Sequence, residues 1–447
     1  MIKKKTISEF LSDEYKEFAM YVIENRAIAS VIDGFNPGQR KVIHVANNIW
    51  KTGNEKVLKV FQLSGKVASD SFYHHGDKSL SSTIINMAQK FKNNYPLLEE
   101  DGQFGSLRST QAGAPRYVGT KLSNNFRLIY KDFNLLNYKI EEGEKIEPEY
   151  FLPIVPMILV NGSSGIAVGF SSNIMCRKIT DVINATINYL SGKKIRTLKP
   201  SLNAFNGDYK QDKENHKRWI ISGKFEKINT TTINITELPP SMTYEKYENI
   251  LEKLVDDKFI VSYEDNCKDD VNYIIKMKRS ELSKIDDEAL IKKLKLVEYS
   301  TEIFTTLDEN GKLKIFETVE EVLKYFVDFR LKFYSKRKSY FLNKMDKEYL
   351  ALKNKAAFIK LILDGKIKVN NIAKSKIEKD IATNKLDKID NSYDYLLRMP
   401  IYSLTKEVFL KLKNDIKLKN NEIKETKKLK PKDMYLEDLE ELKKKVK

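Results

Sequence analysis

Val319, Val322, Phe326, Phe329 and Phe333 step along the chain by 3, 4, 3 and 4 positions, the seam spacing of a coiled coil. The pattern stays helical to about Asp364, which predicts one helix of about 47 residues and roughly 70 Å at 1.5 Å per residue. Such a helix cannot bury its own seam. Lys406 to Thr426 contains neither Pro nor Gly and can return antiparallel along it, leaving residues 365–405, with Pro400, as a knob at the far end. The Lys-rich stretch that follows keeps Tyr435, Leu436, Leu439 and Leu442 at helical spacing, and so reads as a docked helix.

The 447 residues allow about three domains. With 79 Lys+Arg against 62 Asp+Glu the net charge is +17, while 41% hydrophobic residues exclude a disordered polybasic tail. That balance favours phosphate-bearing partners, nucleic acid first. Cys176 and Cys267 have no partner spacing, so neither a disulfide framework nor a Cys-type zinc site is expected. Lys3, Lys4 and Lys5 imitate the start of a signal peptide, but Thr6, Ser8 and Glu9 interrupt any apolar region. Phe151 to Val160, the most apolar stretch, contains Pro153 and Pro156 and falls short of a membrane span. A soluble protein of a reducing cytoplasm, with no membrane partner, is expected.

Residues 6 to 30 read as a helical arm, with Ser12 as a cap and Tyr15, Phe18, Ala19 and Val22 at helical spacing. Asn36-Pro37 announces a second helix with Val42, Ala46 and Ile49 on its core face; Arg40 and His44, four apart, are expected to project together from another. Leu80, Ile84, Met87, Ala88 and Phe91 define a third helix, opened by Tyr73-His74-His75-Gly76-Asp77 with Asp77 as its cap. Helix, Gly-containing turn, helix, and then a Gly-rich stretch from Gly102 to Gly119, outline a winged-helix DNA-binding module over residues 28–148. Trp219 to Phe225, Thr231 to Ile235 and Asn272 to Met277 are β-rich between charged helical segments, which predicts an α+β domain over 149–308.

Arg116-Tyr117 is the pair best suited to covalent chemistry. A phenol with a pKa near 10 is ionised only about once in a thousand molecules at pH 7, a handicap of about 4 kcal/mol, so a tyrosine nucleophile needs positive help. Arg116 supplies a permanent charge and a fork of donors for a phosphate oxygen. His74 and His75 stand at a helix start, where backbone N–H groups attract phosphate, although plain turn residues would read the same way. Asn161 to Gly169 is Gly-rich but lacks the Gly-Lys-Ser/Thr of an ATP loop. Ile166 within it is either a buried strand residue or an apolar wedge between base steps. Asp256-Asp257, Asp269-Asp270 and Asp286-Asp287 have no metal-site context and read as solvated turn residues.

Arg26-Ala27-Ile28, Asp33 to Val42, Tyr73 to Asp77 with Thr83 to Gln89, Gly102-Gln103-Phe104-Gly105 and Pro115-Arg116-Tyr117, in this order, resemble the breakage-reunion region of type IIA DNA topoisomerases. The resemblance continues through Pro153 to Pro156, Asn161 to Gly169, Ile235 to Pro239, Arg330 to Tyr334 and Tyr395 to Pro400, and so covers nearly the whole chain. It implies an α+β multidomain protein: helical arm (1–27), winged-helix DNA-cleavage domain (28–148), α/β tower domain (149–308), and long antiparallel coiled coil with a terminal dimerisation knob (309–447). The motifs are closer to the eukaryotic and T-even bacteriophage branch than to gyrase, and the chain resembles the medium-subunit type of that phage branch, with DNA replication as its setting. No gyrase-like wrapping domain is expected.

The resemblance implies that Tyr117 attacks a DNA phosphate and becomes linked to the 5′ end, while Arg116, Arg40 and His75 stabilise the transition state. Lys41, His74 and Lys78 become phosphate contacts, and Ile166 the intercalating wedge, which reverses the buried-strand reading. The family's ATPase motifs and its metal-binding Glu and Asp-x-Asp-x-Asp signature are missing. Mg²⁺ and ATP are therefore expected on a partner large subunit, with or without a further small subunit, beside double-stranded DNA and a second copy of the chain. The product would be a double-strand gate for duplex passage that relaxes supercoils and decatenates DNA in the host cytoplasm or nucleoid. Bacterial relatives anchor quinolones through a Ser directly after His-Gly-Asp and an acid four residues later; Lys78 and Ser82 here imply weak sensitivity. Two rival readings are a non-catalytic basic coiled-coil architectural DNA binder with an inert Tyr117, and a single-strand nickase or recombinase. The second lacks its metal-binding His cluster or dispersed Arg-His-Arg.

Overall fold

Asn36 accepts from the Gln39 N–H while the Gln39 side chain accepts from the Asn36 N–H, and Pro37 takes the first helical position; this capping box starts α1 (Pro37–Ile49) where the sequence placed it. The structure is a computed structural model that describes residues 6–51, 56–268 and 270–446; Lys3, Lys4, Lys5 and Asp269 lie outside them. The arm is capped by Thr6 rather than Ser12, because Thr6 and Glu9 form the reciprocal pair. Ser12 lies inside the helix and donates to the Glu9 carbonyl. Helical turns continue to Ala27, with π-helical segments at Leu11–Tyr15 and Ile23–Ala27.

Two further helices complete the first module: α2 (Val60–Asp70), which the sequence reading did not place, and α3 (Asp77–Ala88). Gly76 is the N-cap of α3, so Asp77 is its first helical residue and not the cap; its carboxylate still sits at the positive end of the helix. α3 ends at Ala88, so Phe91, expected to continue its face, lies beyond it. Val42, Ile43, Ala46, Val60, Leu63, Val67 and Ile84 are fully buried where the three helices pack. Strands β1 (Leu58–Lys59), β2 (Leu98–Asp101) and β3 (Gly119–Leu122) form an antiparallel sheet in the order β1-β3-β2, with Leu58 opposite Thr120 and Leu98 opposite Leu122. Three helices beside a small sheet, with a long loop between β2 and β3, is a winged-helix arrangement.

The strands β4 (Ser163–Ile166) and β5 (Ser171–Ile174) make a hairpin. Beyond it, Arg218–Ser222 pairs with Asp208–Gln211 and Val297–Thr301. A four-stranded antiparallel sheet, in the order Lys224–Lys227, Thr232–Glu237, Tyr273–Lys276, Ser262–Asp265, packs on the helix Tyr244–Asp256. Ile233, Ile235, Tyr247, Leu251 and Ile275 are fully buried between them. A buried ion pair pins this region: Arg177 donates to both carboxylate oxygens of Glu302, at 3.0 and 2.7 Å, and Trp219 Nε1 donates to the same group at 3.1 Å.

The chain divides into two compact units, Met1–Arg330 with Asp438–Lys447, and Leu331–Glu437. Helix α4 (Val319–Leu363) buries Val319, Val322, Phe326, Phe329 and Phe333, but not as the coiled-coil seam expected: Val319 to Phe329 belong to the first unit, where Phe329 meets Tyr150 edge-on. Within the second unit α5 (Lys406–Lys428) runs antiparallel to it: Leu412 packs with Ala356 and Ile359, Lys419 pairs with Glu348 at 3.2 Å, and Lys338 donates to the Lys427 carbonyl at 2.8 Å. Residues between the two helices fold around Phe358, Ile367, Ile377, Ile381, Leu386 and Leu396. A last helix, α6 (Pro431–Lys445), buries Tyr435, Leu439 and Leu442. Among the described residues no helix is long and apolar enough to cross a membrane.

Candidate active site

The loop before β3 is fastened to the start of α2. Unpaired N–H groups at a helix N-terminus need acceptors, and here the loop supplies them: Val60 N–H donates to the Val118 carbonyl and Phe61 N–H to the Pro115 carbonyl, both at 3.0 Å. Lys59 Nζ donates to the Tyr117 carbonyl at 2.7 Å, and the Tyr117 N–H closes a turn onto Ala114 at 2.8 Å. The backbone at 117 is therefore fixed from both sides, while Tyr117 as a residue is 68% exposed. The Arg116 guanidinium lies 5.0 Å from the centroid of the Tyr117 ring. A Cβ at Gly119 would fall 2.6 Å from Val57 Cγ1 and 2.7 Å from Asp101 Oδ2, so both side chains would have to shift to admit one.

Arg116 also lines a cavity of about 850 Å³ between α3 and the loop, together with Phe61, Lys78, Ser82, Asn86 and Lys92. Burial lowers the pKa of Lys92. Gln89, on the same wall, donates its amide to the Phe104 carbonyl at 2.7 Å.

A second cluster forms where the end of the arm meets α1 and the turn before α3. Lys41, His74 and His75 line one cavity of about 360 Å³ with Tyr21 and Tyr73. The His75 ring meets Tyr73 edge-on at 5.3 Å and Tyr21 at 6.3 Å. Burial, and then the positive charges of Arg26, His74 and Lys41, lower its pKa below the usual histidine value. Lys41 Nζ is steered by Glu147 at 2.9 Å and by the Ser71 carbonyl, and Lys139 approaches the same carboxylate at 3.6 Å. His74 Nε2 faces Glu141 at 3.2 Å. Among the described residues, none lines both this cavity and the one beside Arg116.

Arg40 does not project with His44. It is 5% exposed, and Nε and Nη2 donate to the Asp33 carboxylate at 2.7 and 3.1 Å. The cause lies in helix spacing: three residues from Pro37 and three from Ile43, Arg40 shares their buried face. Burial works against its charge, but Asp33 and Glu147 more than offset that and raise its pKa. His44 sits apart, 3.2 Å from the Asn48 amide and edge-on to Tyr138, and burial lowers its pKa.

Ile166 is 86% exposed at the end of β4. Its neighbour Gly165 lies so close to the arm that a Cβ would fall 2.1 Å from the Ala27 carbonyl oxygen, which sets the hairpin down on that backbone and leaves Ile166 free. Both cysteines are free, and burial pushes each thiol up to about 11, so neither is a ready nucleophile. Among the described residues no group of three or more His, Cys, Asp or Glu could hold a metal ion.

Sequence reasoning gave Arg26 no site role and did not single out Glu147. Arg26 opens the Arg26-Ala27-Ile28 motif, and its charge acting on His75 was the signal that spacing alone does not carry. Glu147 is 106 positions from Lys41, and nothing local connects them.

Residues 26–441 match the DNA gyrase/topoisomerase IV family of A-type subunits. The DNA topoisomerase 2 of Plasmodium falciparum is 35% identical over 488 residues, covering 98% of this chain and 34% of that protein. The mitochondrial DNA topoisomerase 2 of Dictyostelium discoideum is 33% identical over 460 residues, covering 99% and 35%. Among solved structures, the fold is similar to that of the P. falciparum topoisomerase II DNA-binding, cleavage and re-ligation domain. The TM-score is 0.83 and the identity 35%, over 98% of this chain and 64% of that one. The chain spans about a third of the length of the curated relatives it matches.

Proposed function

Because the chain belongs to the breakage-reunion family of type IIA topoisomerases, we propose that it is the DNA-cleaving and rejoining subunit of such an enzyme, with Tyr117 as nucleophile. The observation that carries this reading is the exposed Tyr117 phenol under the Arg116 guanidinium, on a loop fastened to α2 beside a basic cavity. The Tyr117 Oη–P bond forms, the bond from phosphorus to the 3′ oxygen breaks, and that oxygen leaves with a proton as the 3′ hydroxyl. The 5′ phosphate stays on Tyr117 until the 3′ hydroxyl attacks it in reverse. One phosphodiester replaces another, so resealing needs no external energy.

Arg116 stabilises the charge that builds on the phosphate oxygens. His75 and Lys41, which share a cavity, contact phosphate from the second cluster, with His74 and Lys78 as further backbone contacts. Arg40, locked to Asp33, supports that cluster by fixing α1. Ile166, carried out into solvent by the hairpin, enters a base step and kinks the duplex. Mg²⁺ assists phosphoryl transfer in such chemistry, but the described residues offer no fitting ligand cluster, and no step above is routed through a metal. Metal and ATP would come from a partner large subunit. Two copies of the chain, joined through the knob, would form the gate through which a second duplex passes, relaxing or decatenating DNA. The motif wording supports the medium-subunit type of T-even-like phages.

The test mixes the full chain with a partner ATPase subunit, Mg²⁺ and supercoiled DNA, and stops the reaction with denaturant. Paired breaks with a short overhang and protein on each 5′ end are expected. Isolated nicks, or breaks free of protein, would reject the reading in favour of a nickase, and intact DNA bound without breaks would favour an architectural role.

A pH prediction follows from His75. In the free chain its ring titrates below 6.5, because burial and the nearby positive groups penalise the imidazolium. Duplex DNA brings a phosphate that favours the charged form, so the midpoint rises on complex formation. Histidine-ring NMR with and without a duplex measures both. A midpoint above 6.5 without DNA, or one that falls on binding, contradicts the placement.

A further inference from the structure

The positive charge is concentrated in the second unit: residues 331–437 hold 27 Lys+Arg against 14 Asp+Glu, a net +13 out of +17 for the whole chain. On α5 it is also sorted by face. Lys406, Lys413, Lys417, Lys424 and Lys428 recur every seven or four positions, which on an α-helix puts them in a sector of about 60°. All five are exposed. Asp415 and Glu422 fall on the opposite side, where Lys419 pairs with Glu422 at 2.8 Å and Glu348 at 3.2 Å, while Glu407 and Glu425 lie about 90° from the centre of the stripe. Among the described residues, none of the five stripe lysines has an ion pair or a side-chain hydrogen bond. The seam residues Leu412 and Ile423 are buried, so the stripe is free of the packing that holds α5.

Five positive charges in a line repel one another; Lys428, in the last turn, complements the helix end, and the other four form no ion pair on the helix among the described residues. From Lys406 to Lys428 the stripe runs about 33 Å at 1.5 Å per residue, close to the roughly 34–36 Å of one turn of B-DNA. Apart from lysines, Leu410, Asn414 and Asn421 are the exposed residues that lie closest along the stripe, with no aromatic anchor and no Arg fork for a base edge, and the exposed acids Glu407 and Glu425 stand to one side of it. Protein interfaces are depleted of Lys and rely on aromatic or Arg anchors, whereas flexible ammonium groups suit phosphates at any register. We infer that the Lys406–Lys428 face of α5 binds the backbone of duplex DNA without regard to sequence, as a second DNA-binding surface separate from the residues assigned to cleavage. The inference takes its ligand class from the cleavage reading, yet the two fail separately, as the experiment shows.

The full chain is prepared with Lys417→p-benzoylphenylalanine, and separately with Glu422→p-benzoylphenylalanine, and irradiated with a labelled 30-bp duplex. The crosslink at 417 is expected to exceed that at 422 at least tenfold and to fall steeply between 50 and 200 mM salt. Adding Lys413→Gln, Lys424→Gln and Lys428→Gln to the 417 variant should lower it at least tenfold, whereas Lys368→Gln, Lys376→Gln and Lys379→Gln should leave it within about twofold. Unlabelled duplex should displace the label, and poly-glutamate of equal charge should not. Equal crosslinking from both faces, an equal loss from both triple variants, or displacement by poly-glutamate as effective as by DNA would overturn the inference. Tyr117→Phe removes any covalent adduct and leaves this crosslink unchanged. Absence of adduct in the native chain would therefore sink the cleavage reading without touching the stripe.

Discussion

Tyr117→Phe abolishes the covalent protein–DNA product, by at least about a thousandfold, while duplex affinity stays within about twofold of the native chain. The substitution removes one oxygen and keeps the ring, so the 5.0 Å contact with the Arg116 guanidinium survives. The loop survives as well, because the carbonyls of 115, 117 and 118 accept from Phe61, Lys59 and Val60, the Ala114 carbonyl accepts from the Tyr117 N–H, and none of these bonds involves the phenol. What disappears is the one nucleophilic atom of that side chain. Denaturing electrophoresis of quenched reactions reads the adduct, and anisotropy of a labelled duplex reads binding. A variant that still forms adduct places the nucleophile elsewhere. One that loses binding and adduct together makes Tyr117 a structural residue.

Asp33→Ala lowers the stability of the first unit by about 3–5 kcal/mol, the cost of stripping one partner from a buried ion pair. The Asp33 carboxylate is fully buried and accepts from Arg40 at 2.7 and 3.1 Å, from Phe35 N–H at 3.1 Å and from Phe151 N–H at 3.1 Å. Without it the Arg40 guanidinium keeps one neutral acceptor, the Phe35 carbonyl at 3.2 Å, and remains 5% exposed. The damage reaches the candidate site, because α1 carries both Arg40 and Lys41. Urea unfolding followed by the fluorescence of Trp50, buried at the end of α1, measures the loss. A change under 1 kcal/mol would mean that the pair is not what fixes α1.

How much of this was legible in the sequence depended on how local each cause is. The start of α1 was readable because Asn36, Pro37 and Gln39 lie within four residues and form the cap themselves. The buried face at the start of α4 was readable because one period repeats over several turns, but periodicity does not say what covers it, and α5 pairs with a later part of the helix. By contrast α2 went unplaced: Val60, Leu63 and Val67 are a short apolar face interrupted by Gly65. Arg40 was misjudged because charge suggests exposure, whereas its helix position suggests burial, and the Asp33 that reconciles the two stands seven positions upstream in a turn. The exposure of Ile166 was open at the level of residues, since whether a strand Ile is buried depends on what packs on the hairpin, here the arm backbone against Gly165. Glu147 belongs to the class no local pattern reveals, a carboxylate far along the chain that steers two lysines.

The central claim is that one phenol exchanges places with a sugar oxygen of duplex DNA. The most direct measurement digests the denatured adduct with nuclease and protease and identifies by mass spectrometry the residue that retains a nucleotide. The account predicts a single modified peptide, with the nucleotide joined through its 5′ phosphate to Tyr117. A nucleotide found on any other side chain, or a 3′ linkage at Tyr117, would contradict it.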